Sequence, residues 1–165
     1  MKSILKYILL TLLFIFIILQ FFGVDKSVPE FNTNTDFLAT HNPSSDVESI
    51  FRSACYDCHS YETTYPWYSN IQPVAWWLQD HIDEGRDEMN LSLWNEYSTE
   101  DADHLLEEMV EMVEEEEMPL PSYTWTHSDA RLTDQQRENL TNWAANLRTS
   151  LQQKSDSTAA TGSTN

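Results

Sequence analysis

The stretch Cys55-Tyr56-Asp57-Cys58-His59 contains both cysteines of the chain and places a histidine directly after the second one. Two thiols three residues apart on a helical turn face the same way, so each can form a thioether with one of the two vinyl groups of a haem. The adjoining histidine is then directed at the iron. This spacing is the attachment sequence of haem c, and it predicts one covalently bound haem held by Cys55, Cys58 and His59.

Two other kinds of site also use a Cys-x-x-Cys pair. A thioredoxin-type redox pair follows a strand in an α/β pattern, and the sequence shows no such pattern. A zinc site requires a further pair of Cys or His residues at short spacing. The remaining histidines are instead scattered singly, at His41, His81, His104 and His127. Haem attachment is therefore the favoured prediction, with metal or thiol chemistry as the alternative.

The second axial ligand of the iron is predicted to be Met118. It lies where a predicted helix ends, and Pro119 and Pro121 stiffen the following loop, so a thioether there can reach across the haem face opposite the attached histidine. His81 is the runner-up ligand, although a histidine on an apolar helical face is more often a satisfied core group. His127, another residue or an open coordination site are the remaining candidates.

The chain is strongly acidic, with nine Lys and Arg residues against 27 Asp and Glu residues and a formal net charge of −18. A field of this sign repels nucleic acid and favours basic partner proteins, divalent cations or a high-salt habitat, so nucleic-acid binding is excluded. The three dispersed glycines cannot form a nucleotide-binding loop. We interpret the run Glu114–Glu117 as a solvated helix end, with a docking site for a basic redox partner or a device lowering the haem potential as alternatives.

The N-terminus predicts a membrane anchor. Lys2 and Lys6 precede the apolar stretch Tyr7–Val24, which at helical rise spans about 27 Å and nearly matches a bilayer core. No small-residue cleavage pattern follows, so an uncleaved signal-anchor is favoured over a cleaved signal. The two lysines would hold the N-terminus in the cytoplasm. The chain is thus expected to cross the cell membrane once, with the haem domain on the periplasmic side.

The chain divides into four predicted parts: an anchor (1–24), a tether (25–45), a haem-binding domain (46–149) and a disordered tail (150–165). The tether is polar and contains Pro29 and Pro43. The tail consists mainly of Ser, Thr, Gln and Ala, and has too little apolar content to offset its ordering entropy.

The domain is predicted to be all-α and cytochrome c-like, because apolar residues recur at helical spacing and nothing alternates with a period of two. Two helices begin with predicted capping boxes, Ser45 with Glu48 and Thr133 with Gln136. Between them we predict helices over Pro73–Gly85 and Thr99–Glu116. The expected buried faces of the first, third and fourth helices are, in chain order, Val47, Ile50, Phe51 and Ala54, then Leu105, Leu106, Met109, Val110 and Val113, then Leu140, Trp143, Ala144 and Leu147.

The sequence from about Val47 to Trp143 resembles the bacterial haem-binding domain family, which is related to c-type cytochromes. The shared landmarks are the motif Cys55–Ser60, then Thr64, Pro66, Trp67, Tyr68, Pro73, Val74, Trp76, Trp77, Leu78, His81, Glu84, Gly85 and Arg86, and later Met118, Pro119, Tyr123 and Ala130. The resemblance implies covalent haem binding by a helical domain outside the cytoplasm. It also implies that Cys55, Cys58 and His59 attach the haem and that Met118 is the distal ligand.

The sequence therefore predicts a membrane-anchored monohaem c-type cytochrome that transfers electrons between redox partner proteins, some with basic surfaces. An iron held by His and Met changes oxidation state with little rearrangement, which suits a carrier. The alternative is a haem enzyme or a sensor of peroxide or a diatomic gas, with a labile or open distal site. Such an enzyme would be a haem-dependent oxidoreductase, but no catalytic residue is predicted, and a carrier is favoured.

Overall fold

The computed structural model describes residues 2–162, with side chains up to residue 157. No strand occurs in that part of the chain, so the predicted all-α fold class is confirmed. The α-helices of residues 2–162 are α1 (Lys2–Leu19), α2 (Phe37–His41), α3 (Ser45–Ala54), α4 (Tyr56–His59), α5 (Val74–Glu88), α6 (Thr99–Glu114), α7 (Pro121–Thr124) and α8 (Asp134–Gly162). Single turns of 3-10 helix lie between them, at Thr33–Thr35, Trp67–Asn70, Leu91–Glu96 and Ser128–Ala130.

The core forms where α6 and α3 both pack on α8. Apolar side chains from these helices meet those of α2 and of the 3-10 turn Leu91–Glu96. The most deeply buried large side chains are Phe37, Phe51, Ile82, Leu91, Leu106 and Leu140. Burying aromatic and branched apolar side chains of this size supplies most of the favourable free energy of folding.

Helix α3 leads directly into the cysteine motif. The predicted capping box at its start is wrong, because Ser45 is already the first helical residue and Glu48 pairs with Arg52, with 2.9 Å between Oε1 and Nε. An i, i+4 ion pair of this kind competes for the carboxylate that would otherwise reach back to the helix start. The expected inner face is nevertheless found, with Val47, Ile50 and Phe51 buried and Ala54 half-buried.

Helix α5 extends one turn further than predicted, to Glu88 instead of Gly85. The glycine is needed for packing and not for ending the helix. A Cβ atom built on Gly85 would lie 3.2 Å from the carbonyl oxygen of Cys58 and 3.3 Å from its Cβ. Such contacts are tighter than ordinary packing allows, so the absence of a side chain lets α5 approach the cysteine motif closely.

Helix α6 covers nearly the predicted range and ends in a Schellman motif. The N–H of Glu117 donates to the carbonyl of Met112 at 3.0 Å, and the N–H of Glu116 donates to that of Val113 at 3.3 Å. Glu116 has φ 61°, the left-handed conformation that this motif requires. Glycine usually takes the position because a Cβ atom makes the left-handed conformation unfavourable.

Helix α8 begins with the predicted capping box. Thr133 N donates to Gln136 Oε1 at 2.9 Å, and Gln136 N donates to Thr133 Oγ1 at 3.3 Å. The helix continues through Gly162 and so includes most of the segment predicted to be a disordered tail, of which 163–165 lie outside the described residues. Leu151 still packs on the core, and extending a helix that already exists costs much less than nucleating one.

The interpretation of 25–45 as a tether does not fit residues 36–41. Phe37 is fully buried and Leu38 is nearly so. Asp36 Oδ2 accepts a hydrogen bond from the buried hydroxyl of Tyr56 at 2.9 Å, and that hydroxyl accepts one from Leu38 N at 3.3 Å. The tyrosine inside the cysteine motif therefore holds α2 in place. His41, interpreted from the sequence as a surface or tether residue, lies at the edge of the aromatic core.

The N-terminal helix α1 runs over Lys2–Leu19, with a mean hydropathy of 2.2 and no buried residue. It starts before the predicted apolar stretch Tyr7–Val24 and ends five residues earlier than that stretch. Its length and composition suffice to cross a membrane, and a signal sequence would share these properties.

Candidate functional site

The predicted site residues lie around one cavity of about 500 Å³. Cys55, Cys58, His59, His81 and Met118 all line it. Its walls are mostly apolar, and cofactor pockets commonly measure about 300–1,000 Å³. The apolar part of the lining consists of Ala54, Met89, Leu105, Met109, Met112, Val113, Pro119, Leu120, Leu132 and Leu140.

The cysteine motif forms a tight turn between two helices. The N–H of Cys55 still donates to Phe51 in α3, at 3.0 Å, while its carbonyl accepts from the N–H groups of Cys58 at 3.2 Å and His59 at 2.9 Å. One residue therefore ends α3 and begins α4. Both thiols are free, and the turn brings them and the histidine to the same cavity.

His59 is held in one tautomer. Its Nδ1 lies 3.1 Å from the carbonyl oxygen of Met89, and because a carbonyl only accepts, the proton is on Nδ1. The lone pair is then on Nε2, which is the atom that can bind a metal. Burial lowers the pKa of His59, so the imidazole stays neutral, as a ligand must be.

The two thiols are protonated at neutral pH. Burial raises the pKa of Cys55 to about 12 and that of Cys58 to about 11; Asp57 adds to the effect at Cys58, and Arg86 opposes it there. Cys-x-x-Cys pairs that act as redox centres have lowered pKa values instead. Among the side chains the structure describes, no group of three or more His, Cys, Asp or Glu residues is arranged to hold a metal ion. Both observations count against the thiol and zinc alternatives.

Helix α5 holds the motif in place through Arg86 as well as Gly85. The Arg86 Nε atom donates to the Ser60 carbonyl at 2.9 Å, and its Nη2 donates to Thr63 Oγ1 at 2.9 Å. A cation near the last carbonyls of a helix stabilises that end. The same guanidinium lies over the ring of Tyr61, 5.3 Å from its centroid.

Tyr123 is a site residue whose role sequence reasoning missed. It lines the cavity, and its hydroxyl donates to Asp57 Oδ2 at 2.7 Å, joining α7 to the residue between the two cysteines. Burial and the bond to Asp57 raise the pKa of Tyr123. Its only signal in the sequence was its place among the landmarks of the family resemblance.

Met118 reaches the cavity through the end of α6. Its N–H donates to the Met112 carbonyl at 3.1 Å, directly after the Schellman motif, and its side chain is half-buried. Met89, Met109 and Met112 line the cavity as well. The structure therefore brings four thioethers to one space, and the loop position and the family resemblance remain the reasons for preferring Met118.

The other histidines have distinct places. His81 lines the cavity, with Nδ1 at 2.8 Å from the Trp77 carbonyl, so its Nε2 also carries a lone pair. His127 is not among the lining residues and stacks on the ring of Tyr123, at 4.1 Å between centroids. His104 is exposed and lies 3.4 Å from Glu108 Oε1. Of these three, only His81 is placed as a rival to Met118.

Exposed carboxylates surround part of the cavity. Glu84, Glu88, Glu108 and Glu111 are exposed residues of its lining, and no Lys or Arg contributes to that lining. The run Glu114–Glu117 is also exposed and lies just beyond the last of them. One part of the protein surface is thus strongly negative next to the cavity.

These residues fit a haem. The cavity is apolar and of suitable volume, and it presents a neutral imidazole with a free lone pair, two thiols and several thioethers.

Searches of curated proteins and of solved structures give no significant match. A family model described as "Haem-binding domain" matches residues 14–146, which is most of the chain and includes every residue of the cavity. The chain therefore belongs to the haem-binding domain family, and haem is its cofactor.

Proposed function

We propose that the chain is a membrane-anchored monohaem cytochrome of the c type that transfers electrons outside the cytoplasm. Cys55 and Cys58 would hold the haem through thioethers, and His59 would be the proximal ligand of the iron. The observation that carries the proposal is that both thiols line the same cavity as a neutral imidazole whose Nε2 lone pair is free. The family match supports the haem, while the motif supports its covalent attachment.

The surrounding residues prepare this site for electron transfer. The bond from His59 Nδ1 to the Met89 carbonyl fixes the ring orientation and increases the basicity of Nε2. The apolar lining would shield a bound haem from water. A bound haem supplies a one-electron couple, and a thioether from Met118 would keep the iron six-coordinate in both oxidation states.

Covalent attachment is tested with serine variants exported together with the cytochrome c maturation machinery. The double variant Cys55→Ser/Cys58→Ser should lose all haem that survives denaturation on a haem-stained gel. Pyridine haemochrome spectra of the two single variants should show one thioether fewer than the parent. Met112→Leu, which alters another lining residue without removing a thiol, should keep its haem. Retention of denaturation-resistant haem by the double variant would disprove the c-type assignment.

The distal ligand decides between a carrier and an enzyme or sensor. With Met118 bound, the ferric protein should show a methionine-to-iron charge-transfer band in the near infrared, and the ferrous protein should bind carbon monoxide slowly. Met118→Leu should abolish the band and speed carbon monoxide binding, while Met112→Leu should change neither. If the parent lacks the band and binds carbon monoxide rapidly, the distal site is open or held by a labile group such as His81. The enzyme or sensor then becomes the better description.

Membrane anchoring and sidedness are supported by α1 and by Lys2 and Lys6 at its start. The full chain should stay with the membrane after alkaline carbonate extraction. Alkaline phosphatase fused after the last residue should be active, because that enzyme folds only after export. An inactive fusion of normal abundance would place the domain in the cytoplasm, where haem c is not attached.

The acidic surface beside the cavity supports docking of a basic redox partner. The rate constant of electron transfer with a small basic protein should fall as ionic strength rises, because opposite charges steer the encounter. Replacing Glu84, Glu108 and Glu111 together with Gln should lower that rate constant at low salt. Glu100→Gln, at an exposed position at the start of α6 and outside the cavity lining, serves as the control. Equal rates for all variants would reject this surface as the docking site.

A further inference from the structure

The segment from Thr63 to Gln79 carries no charged side chain, although the chain contains 27 acidic residues. It forms the 3-10 turn Trp67–Asn70 and the first part of α5. Its aromatic residues are Tyr65, Trp67, Tyr68, Trp76 and Trp77. After α1 and the residues that end its apolar run, this is the longest uncharged stretch of a strongly acidic chain, and it is rich in aromatic residues.

Several large apolar side chains of this segment face solvent. Trp67 is 77% exposed, Trp77 48%, Val74 40% and Trp76 37%. The 3-10 turn that carries Trp67 packs against α5, which carries the other three. Exposed apolar groups that lie together commonly mark an interaction site. Tryptophan in particular prefers the boundary between a lipid bilayer and water, because its ring is apolar and its N–H is polar.

The end of the apolar helix α1 is attached to this same segment. Gln20 Nε2 donates to the Gln72 carbonyl at 3.1 Å, and Gln72 N donates to Gln20 Oε1 at 3.0 Å. Trp76 Nε1 donates to the carbonyl of Phe22 at 3.0 Å. Lys26 Nζ donates to Ser69 Oγ at 2.8 Å. The chain therefore leaves α1 directly against the exposed tryptophans.

We propose that Trp67, Val74, Trp76 and Trp77 form a membrane seat, a surface that rests in the headgroup region of the bilayer beside the point where α1 emerges. The inference rests on the proposed function in one respect, namely that α1 crosses a membrane. The lack of charge within the segment matters because none of its own side chains must lose hydration as an ion on entering this region. The Lys26 ammonium is hydrogen-bonded to the segment, and a lysine at the end of a membrane helix commonly reaches the headgroup level. Continuity with α1 identifies the occupant of this surface as lipid and not as a second protein.

The membrane seat sets the position of the cavity relative to the membrane. Helix α5 begins in the seat and continues along the cavity, which His81, Gly85 and Glu88 line. At helical rise these residues lie about 8 to 18 Å along the helix axis from Trp76. The seat and the attachment of α1 together would hold the haem near the bilayer in one orientation, so that redox partners in the same membrane meet the same face.

The test is photolabelling of the full, haem-loaded chain in phosphatidylcholine nanodiscs. A fraction of the lipid carries a diazirine close to its glycerol, and adducts are mapped by mass spectrometry after illumination. Adducts are expected on α1 and also on Trp67, Trp76 and Trp77. His104 is the control, because its aromatic side chain is 66% exposed but lies on α6, outside the uncharged segment. It should remain unlabelled.

Each outcome has a separate meaning. Adducts on α1 alone would overturn the membrane seat and leave the anchor intact, whereas no adduct anywhere would remove both. Labelling of His104 as strong as that of Trp67 would also overturn the seat, because labelling would then follow exposure alone. As a second measurement, the linear dichroism of the haem band in oriented bilayers should be largely lost in Trp67→Ser/Trp77→Ser and kept in His104→Ser. Unchanged dichroism in the double variant would contradict the inference.

Discussion

Two sides of the cavity are built in different ways. The attachment wall, so called after the proposed function, is formed by residues 55–59 and is fixed by contacts from other parts of the chain: the Met89 carbonyl, Arg86 of α5 and the hydroxyl of Tyr123. The distal wall, residues 112–120, is held mainly by its own backbone, through the Schellman motif and the bond from Met118 N, although Arg137 of α8 also donates to the Val113 carbonyl. Its four successive glutamates are exposed.

This difference corresponds to two different requirements. Under the proposed function, thioether formation would need two thiols and an imidazole in fixed positions before the haem reacts, and a preorganised wall supplies them. A distal thioether only needs to reach the iron, and a backbone loop suffices for that. Stability should therefore be more sensitive to substitutions in the attachment wall than in the distal wall, and four variants examine this expectation.

The largest effect is expected for Gly85→Leu. Its side chain would overlap the backbone of Cys58, whose carbonyl oxygen is already 3.2 Å from the position of a Cβ atom. Overpacking of this kind costs about 1–3 kcal/mol, and the displaced motif should also incorporate less haem. Urea denaturation and the haem content per protein are the measurements. Asp87→Leu, an exposed position in the same helix, should change both much less. Equal effects at positions 85 and 87 would mean that the attachment wall is not tightly fixed.

A smaller loss of stability is expected for Tyr123→Phe, which removes a bond between α7 and the attachment wall. The hydroxyl donates to the carboxylate of Asp57 at 2.7 Å in a partly buried position. Loss of such a bond should lower the free energy of unfolding by about 1.5 kcal/mol. Tyr68→Phe is the control, because its hydroxyl contacts only the exposed Thr126, at 3.1 Å. A Tyr123 variant as stable as the Tyr68 variant would show that α7 does not support the motif.

That Cys55, Cys58 and His59 lie together at one cavity was predictable from the sequence, because the three residues belong to one continuous motif. The contacts that hold these three residues in place were not predictable in this way. Gly85 was interpreted as a helix end because glycine commonly ends helices, and only the tertiary contact with Cys58 reveals its role. Likewise Phe37 is a core residue within a polar, proline-containing stretch. The pair Phe37 and Leu38 is too short to show the regular spacing of apolar residues that predicts burial. His59 is also held by the backbone carbonyl of Met89, and a contact made by the backbone cannot be predicted from residue types.

The distal wall should respond in the opposite direction at Glu116. This residue is in the left-handed conformation, which costs a non-glycine residue about 1–2 kcal/mol, so Glu116→Gly should raise the free energy of unfolding by about 0.5–1 kcal/mol after the added chain entropy is subtracted. The lost contact with Arg137 is 3.9 Å long, and the Glu116 side chain is 71% exposed, so the pair contributes little. Glu115→Gly, at a right-handed position, should instead lower stability. If both glycines destabilise, the distal wall is not strained.

The smallest effect is a loss of stability at acid pH, and it comes from a histidine in the aromatic core behind the attachment wall. Burial lowers the pKa of His41, whose Nε2 has no hydrogen-bond partner among the side chains described and whose ring contacts Phe37, Trp94 and Trp143. The unfolded chain therefore binds a proton at a pH where the folded protein does not. Stability from this residue is complete above the ordinary titration range of histidine and falls as the pH drops from about 7 to 5.

The variant His41→Phe isolates this contribution. Phenylalanine keeps an aromatic ring in the same place and cannot bind a proton, so its stability should depend less on pH between about 7 and 5 than that of the parent. Thermal unfolding at a series of pH values measures the difference, and His104→Phe, at an exposed position, is the control for replacing a histidine with phenylalanine. Parallel curves for parent and His41→Phe would mean that the core admits the charged ring. The aromatic layer behind the attachment wall would then be less closely packed than the wall itself.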